Sequence, residues 1–151
     1  MILQNNRACS LRLLHLFSMK SIPRNQILVV EDDRDDIFLL TNQLARAEIN
    51  EHVLFIDNGK EALDFLLKAP TPPIALFLDL HLPGLSGVDL LERMRREPRL
   101  QDVPVVVMTG YNDPHDMKRC HELGITAYLQ KPVNLSTFLK TVADLFQSQG
   151  S

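Results

Sequence analysis

Four apolar runs in this chain each stop at residues able to do chemistry. "QILVV" (26–30) stops at Glu31 and Asp32, "IALFL" (74–78) at Asp79, "VPVVVM" (103–108) at Thr109, and "TAYLQ" (126–130) at Lys131. If these ends share one edge of a sheet, three carboxylates, a hydroxyl and an ammonium meet there. Carboxylates a few ångströms apart raise one another's pKa and need a cation to offset them. A hard divalent ion such as Mg²⁺ suits an all-oxygen site that also leaves positions for water and a phosphate. One carboxylate can then stay ionised as a nucleophile. Lys131 can pair with an incoming phosphoryl oxygen, and the Thr109 hydroxyl can hydrogen-bond another.

The elements that must position these groups follow from the pattern around them. The runs at 26–30, 52–56 ("HVLFI"), 74–78, 103–108 and 126–130 are continuous and apolar, as strands covered on both faces are. Helix-period segments separate them: roughly Asp35 to Ala47, from Asn58-Gly59 to Pro70, and about Val88 to Arg96 before Pro98. A weakly amphipathic stretch at 114–123 is closed by Gly124 in the manner of a helix C-cap. A last helix opens at Asn134 with Leu135, Phe138, Leu139, Val142, Leu145 and Phe146 on one stripe. Five strands each followed by a helix specify a doubly wound α/β fold with a parallel sheet. In such sheets the ligand site lies at the carboxyl ends of the strands. A carboxylate at a strand end has a rigid mount, the Pro83-Gly84 turn leaves room beside it, and Gly110 has no side chain to obstruct the approach.

Size and charge narrow the classes. The 151 residues suffice for one sizeable core, and 45% hydrophobic with 23% charged residues is ordinary for a globular protein. A formal net charge of −3 argues against nucleic acid as the main partner. Arg93, Arg95 and Arg96, the densest basic cluster, lie beside Glu92 and Glu97 and read as a solvated helix face. Cys9 and Cys120 form no CxxC or metal-ligand pattern, which points to reduced thiols in a cytoplasmic protein. "LRLLHLF" (11–17), interrupted by Arg12 and His15, is too short to span a membrane, and no small-residue cleavage site follows it. Residues 1–25 read as a flexible or weakly helical leader, with Met19 as an alternative start.

The pieces "ILVVEDD", "LDLHLPGLSG", "VVVMTG" and "AYLQKPV", in this order and at these separations, resemble the receiver domain of two-component response regulators. The resemblance covers about residues 26–148, with 149–151 as a tail. It implies a flavodoxin-like (βα)5 fold with strand order 2-1-3-4-5. It implies that Asp79 is the phospho-acceptor and that Glu31 and Asp32 hold Mg²⁺ together with Asp79 and the backbone carbonyl of His81. Thr109 and Lys131 would bind the phosphoryl oxygens, Tyr128 would swing inward once Thr109 is drawn to the phosphate, and Pro132 follows Lys131 in a peptide that is typically cis in this family. The implied donor is a sensor histidine kinase, and the domain would catalyse only its own phosphorylation and dephosphorylation. "EALDFLL", "LERMRREPRLQDVPVVVMT" and "KPVNLSTFLKTV" further resemble single-domain receivers of phytochrome-type kinases, a subgroup for which homodimerisation through the last helices is expected. Only "QSQGS" follows the last helical stripe, so output is expected through a downstream protein target or by relay to a phosphotransfer protein.

Other readings stand beside these. Asp32-Asp33 is an alternative metal pair, although the end of the "ILVV" run favours Glu31-Asp32. Glu31 stands where Asp is commoner, so it would reach the ion through water. Asp33, Asp35 and Asp36 suit a helix N-terminus, where the macrodipole favours negative charge. The His81 side chain and Tyr111 read as modulators of phosphate loss, Tyr128 has core packing as its alternative, and His52, His115 and His121 read as surface residues. A haloacid-dehalogenase-type phosphatase would need an acid two positions after the nucleophile, where His81 stands. A flavodoxin-like cofactor binder would need a phosphate loop after the first strand, which is missing. A scaffold without phosphorylation is disfavoured because all five core positions are filled.

Overall fold

The computed structural model describes residues 14–16 and 19–149. Within these, five strands alternate with five helices: β1 (Ile27–Val30), α1 (Arg34–Arg46), β2 (Val53–Ile56), α2 (Gly59–Lys68), β3 (Ala75–Asp79), α3 (Gly87–Arg95), β4 (Val105–Thr109), α4 (Pro114–Glu122), β5 (Ala127–Gln130) and α5 (Leu135–Gln149). The strands form one parallel sheet in the order β2-β1-β3-β4-β5. This is the doubly wound fold and the strand order expected above. Observed bounds differ from the sequence reading by a residue or two. The main difference is that β3 and β4 run on through Asp79 and Thr109, so both residues are part of the sheet and not of the loops beyond it.

The central strands are apolar throughout because both of their faces are covered. Ile27, Val29 and Phe77 point to a core shared with α1 and α5, where the Phe77 and Phe138 rings lie 4.6 Å apart. Leu28, Val30, Leu76 and Leu78 point to a second core with Leu63 and Leu66 of α2, Leu90, Leu91 and Met94 of α3, and Cys120 of α4. Full burial of such a side chain is worth about 1.5–3 kcal/mol. β1, β3 and β4 are therefore the firmest parts of the molecule, and residues at their ends inherit that firmness.

Each helix starts where a polar side chain takes up free amides. Asp33 accepts from the Asp35 and Asp36 amides, Asn58 from Glu61, Ser86 from Asp89, Asp113 from His115 and Asp116, and Asn134 from Thr137. The Gln43 side chain of α1 accepts from the Leu135 amide at 2.8 Å and so ties the start of α5 to α1. Gly124, at φ +74°, follows α4 as the expected C-terminal signal.

Residues 1–13 and 17–18 of the expected leader lie outside the described residues; 14–16 and 19–20 are helical, and Met19 and Ile22 are buried in the α1/α5 core. Two sequence readings are corrected here. His52 is buried, 4% exposed, in the short 3-10 turn (Asn50–His52) that enters β2. Arg95 is not on a solvated face. Its guanidinium turns inward and donates to the carbonyls of Leu100, Gln101, Val103, Leu123 and Gly124.

Candidate functional site

The strand order reverses at β1, because the chain passes from β1 to β2 on one side and then to β3 on the other. The crevice between the carboxyl ends of β1 and β3 is where open parallel sheets bind ligands. Glu31 and Asp32 leave β1 there, and Asp79 ends β3. Each of the three offers a carboxylate oxygen, and all three oxygens lie within 4.8 Å of one another. Glu31 and Asp79 are buried, 3% and 4% exposed.

Lys131 reaches into this cluster from the end of β5. Its Nζ lies 2.5 Å from Glu31 Oε2, 2.9 Å from Asp79 Oδ2 and 3.4 Å from Asp36 Oδ2. The second oxygens are also engaged. Asp79 Oδ1 accepts from the His81 amide at 3.0 Å, and Glu31 Oε1 from the Asp33 amide at 3.0 Å. Burial pushes the Glu31 carboxyl up to about 7, against the opposing pull of its hydrogen bonds from Lys131 and the Asp33 amide. Burial alone would lower the Lys131 ammonium, but hydrogen bonds to Glu31 and Asp79 and their charges outweigh it, and the group is held protonated beyond its ordinary range.

Thr109 ends β4 fully buried, and its hydroxyl is turned to the chain beyond it: Oγ1 donates to the Tyr111 carbonyl at 2.8 Å and accepts from the Tyr111 amide at 3.1 Å. The approach past Gly110 is open, since a Cβ there would meet nothing nearer than the Lys131 Cβ at 4.0 Å. The Lys131-Pro132 peptide is cis. Tyr128 is half-buried on β5, and its hydroxyl donates to Asn112 Oδ1 in the β4–α4 connection. Tyr111 is 69% exposed, and His81 is exposed. Asp33 serves α1 as its cap and is not one of the three clustered carboxylates.

The donor set suits a hard cation. Among the described residues the cluster is three carboxylates, an all-oxygen set with no thiol or imidazole. The ammonium of Lys131 already offsets part of its charge. The arrangement holds one carboxylate at the tip of a central strand, with an ammonium 2.9 Å away and the Thr109 hydroxyl at the end of the neighbouring strand.

Residues 27–143 match the family model described as response regulator receiver domain. The chain belongs to that family. Receiver domains are signalling modules of two-component response regulators and bind a divalent metal. Among relatives, this receiver is 33% identical over 131 residues to response regulator Rcp1 of Synechocystis, covering 83% of this chain and 88% of Rcp1. The solved Mn²⁺-bound form of Rcp1 matches with a TM-score of 0.65 at 31% identity, over 79% of this chain and 89% of that one. The bacteriophytochrome response regulator RtBRR matches with a TM-score of 0.68 at 34% identity, over 79% of this chain and 76% of that one. The phosphorylated cyanobacterial phytochrome response regulator RcpA matches with a TM-score of 0.69 at 27% identity, over 83% and 95%. These matches support the phytochrome-associated subgroup read from the sequence. The same segment makes up only 30% of a probable cyclic di-GMP phosphodiesterase of Vibrio cholerae, so receivers of this kind also occur inside longer proteins.

Two participants escaped the sequence reading. Asp36 was read only as a helix-start charge, yet it faces Lys131 across the crevice. Its place in the first turn of α1, soon after the β1 carboxylates, was the available signal. Asn112, the partner of Tyr128, had no signal in the sequence, because their contact joins two loop and strand positions through tertiary packing alone.

Proposed function

We propose that this receiver takes a phosphoryl group from the phosphohistidine of a sensor kinase onto Asp79, in a reaction that needs Mg²⁺. One observation carries the reading: the Lys131 ammonium lies 2.9 Å from Asp79 Oδ2 inside a cluster whose other members are carboxylates. An Asp79 oxygen attacks phosphorus, the P–N bond to the donor imidazole breaks with its electron pair leaving on that nitrogen, and an acyl phosphate remains on Asp79. Glu31, Asp32, Asp79 and the His81 carbonyl are the groups that would hold Mg²⁺, which when bound supplies charge neutralisation for the phosphoryl oxygens. Lys131 exchanges its contact with Asp79 for a phosphoryl oxygen. Thr109 breaks its hydrogen bond to the Tyr111 carbonyl and donates to another.

The acyl phosphate adds roughly two negative charges at one point. The withdrawal of Thr109 from Tyr111 loosens the 110–113 connection, frees Tyr128 from Asn112 and lets its ring turn inward. Output then passes through the face of α4, β5 and α5, to a downstream protein, to a phosphotransfer protein or within a homodimer. The subgroup likeness supports a phytochrome-type kinase as donor. Leu39 of α1 lines an apolar cleft next to Lys131 with Phe55, Pro132 and Val133, and Phe38 beside it is 65% exposed, which supports kinase docking there. Among the described residues, no helix is long and apolar enough to cross a membrane.

The test is incorporation of phosphate from acetyl phosphate, read by intact mass in Mg²⁺. The wild type is expected to gain one phosphate that EDTA prevents, and Asp79→Asn to gain none. Labelling of the Asn variant at the wild-type rate refutes the assignment.

A further inference from the structure

The first residues of α2 and α3 are both glycines, Gly59 and Gly87, and both lie against the backbone that follows β3. A Cβ added at Gly87 would stand 2.3 Å from the carbonyl oxygen of Asp79, 2.7 Å from Leu80 Cα and 3.0 Å from the Asp79 carbonyl carbon. A Cβ at Gly59 would stand 2.3 Å from the carbonyl oxygen of Leu85. These neighbours are main chain, which cannot rotate aside as the tip of a side chain can. The contact at Gly87 is also drawn tight, because its amide donates to the Leu80 carbonyl at 3.0 Å. Neither glycine has the positive φ found at Gly84 and Gly124, so space and not backbone conformation demands the missing side chain.

We infer that Gly87 and Gly59 are positioning residues for the phosphorylation site, pressing two helix starts onto the loop from opposite ends. Gly87 sets the backbone of the nucleophile itself, and Gly59 sets the far end of the loop that presents the His81 carbonyl. The inference rests on the reading of Asp79 as phospho-acceptor. Asp79 divides its two oxygens between Lys131 and the His81 amide, so the direction of its carboxylate follows its main chain. Restoring an ordinary contact after Gly87→Ala requires a shift of about 1 Å at Asp79 or in α3, and a misplacement of that size costs about a hundredfold in rate. The same push at Gly59 falls on Leu85 and is shared along the loop before it reaches Asp79. Its effect is correspondingly smaller.

The experiment compares the wild-type chain with Gly87→Ala, Gly59→Ala and Gly124→Ala. Gly124 lies at φ +74° with nothing within 4 Å of an added Cβ, so its variant carries backbone strain remote from the site. Mn²⁺ affinity is read by the electron paramagnetic resonance of free Mn²⁺, labelling by acetyl phosphate at saturating donor, and stability by thermal melting. Gly87→Ala is expected to bind Mn²⁺ about tenfold more weakly and to label about a hundredfold more slowly. Gly59→Ala should show both losses in smaller degree, and Gly124→Ala should melt lower while keeping both wild-type values. Wild-type affinity and rate in Gly87→Ala overturn the inference, as does a matching loss of both in Gly124→Ala. If Gly87→Ala does not fold, wild-type values in Gly59→Ala overturn it. A wild type that binds Mn²⁺ but takes no phosphate removes the acceptor reading alone, and the Mn²⁺ series still decides the positioning. A wild type that does neither overturns both.

Discussion

Lys131 is the cation resident among the strand-end carboxylates, and its removal tests how that charge is held. Its Nζ touches Glu31 at 2.5 Å and Asp79 at 2.9 Å, both nearly closed to solvent. Stripping one partner from a buried ion pair usually costs several kcal/mol, because the other charge is stranded. Here Glu31 has an escape, since burial already holds it at about 7 and it can take up a proton at neutral pH. Lys131→Ala is therefore expected to lose about 1–3 kcal/mol in urea unfolding at pH 7 with EDTA, and Mg²⁺ should restore more stability to the variant than to the wild type. An unchanged midpoint in EDTA would mean that the ammonium is not the counter-charge of the cluster. Glu31, Asp32, Asp79, Thr109 and Lys131 were all legible in the sequence, because each stands where an apolar run stops. The present commitment of the Thr109 hydroxyl to Tyr111 was not legible, because a rotamer leaves no trace in residue order.

At the scale of elements, Arg95 decides how α4 is held. From the end of α3 it donates to five carbonyls in two connections, 100–103 and 123–124. A second tie between the same helices is the ion pair of Arg119 with Glu92 at 3.0 Å. The C-terminal end of α4 is thus bound to α3, and its other end is held by the Asp113 cap. Movement on phosphorylation is expected at 110–114 and not at 123–124. Arg95→Ala should cost about 2–4 kcal/mol, with amide-exchange protection lost first at 98–104 and 123–126. Arg95→Lys should recover little of it, because an ammonium has three donors on a point charge and the guanidinium five in a fork. Full protection of those segments in Arg95→Ala would show that the carbonyls are held by other means. The sequence did contain a hint. Arg95 stands four residues after buried Leu91 and so at the margin of the apolar stripe, but three arginines in a row of charges favoured the solvated reading.

For the molecule as a whole, the sheet divides two cores, and Cys120 sits fully buried in the one beneath α2, α3 and α4. Burial pushes its thiol up to about 11 from 9.0. The folded protein thus keeps this proton where the unfolded chain releases it. The contribution is fully present below pH 9 and disappears as pH rises through 11, a loss of up to about 3 kcal/mol. Cys120→Ala should flatten the fall in stability between these values relative to the wild type, and parallel slopes for the two proteins would count against it. Element types and rough bounds were readable from the sequence, because apolar runs and helical periods are local properties that the backbone answers to locally. The family resemblance added the strand order, which periodicity alone leaves open. Tertiary structure alone decided that His52 is buried, that Arg95 turns inward, and that Asp36 joins Lys131 from α1. Those outcomes depend on which distant segments pack together, and no local pattern encodes the surroundings that packing creates.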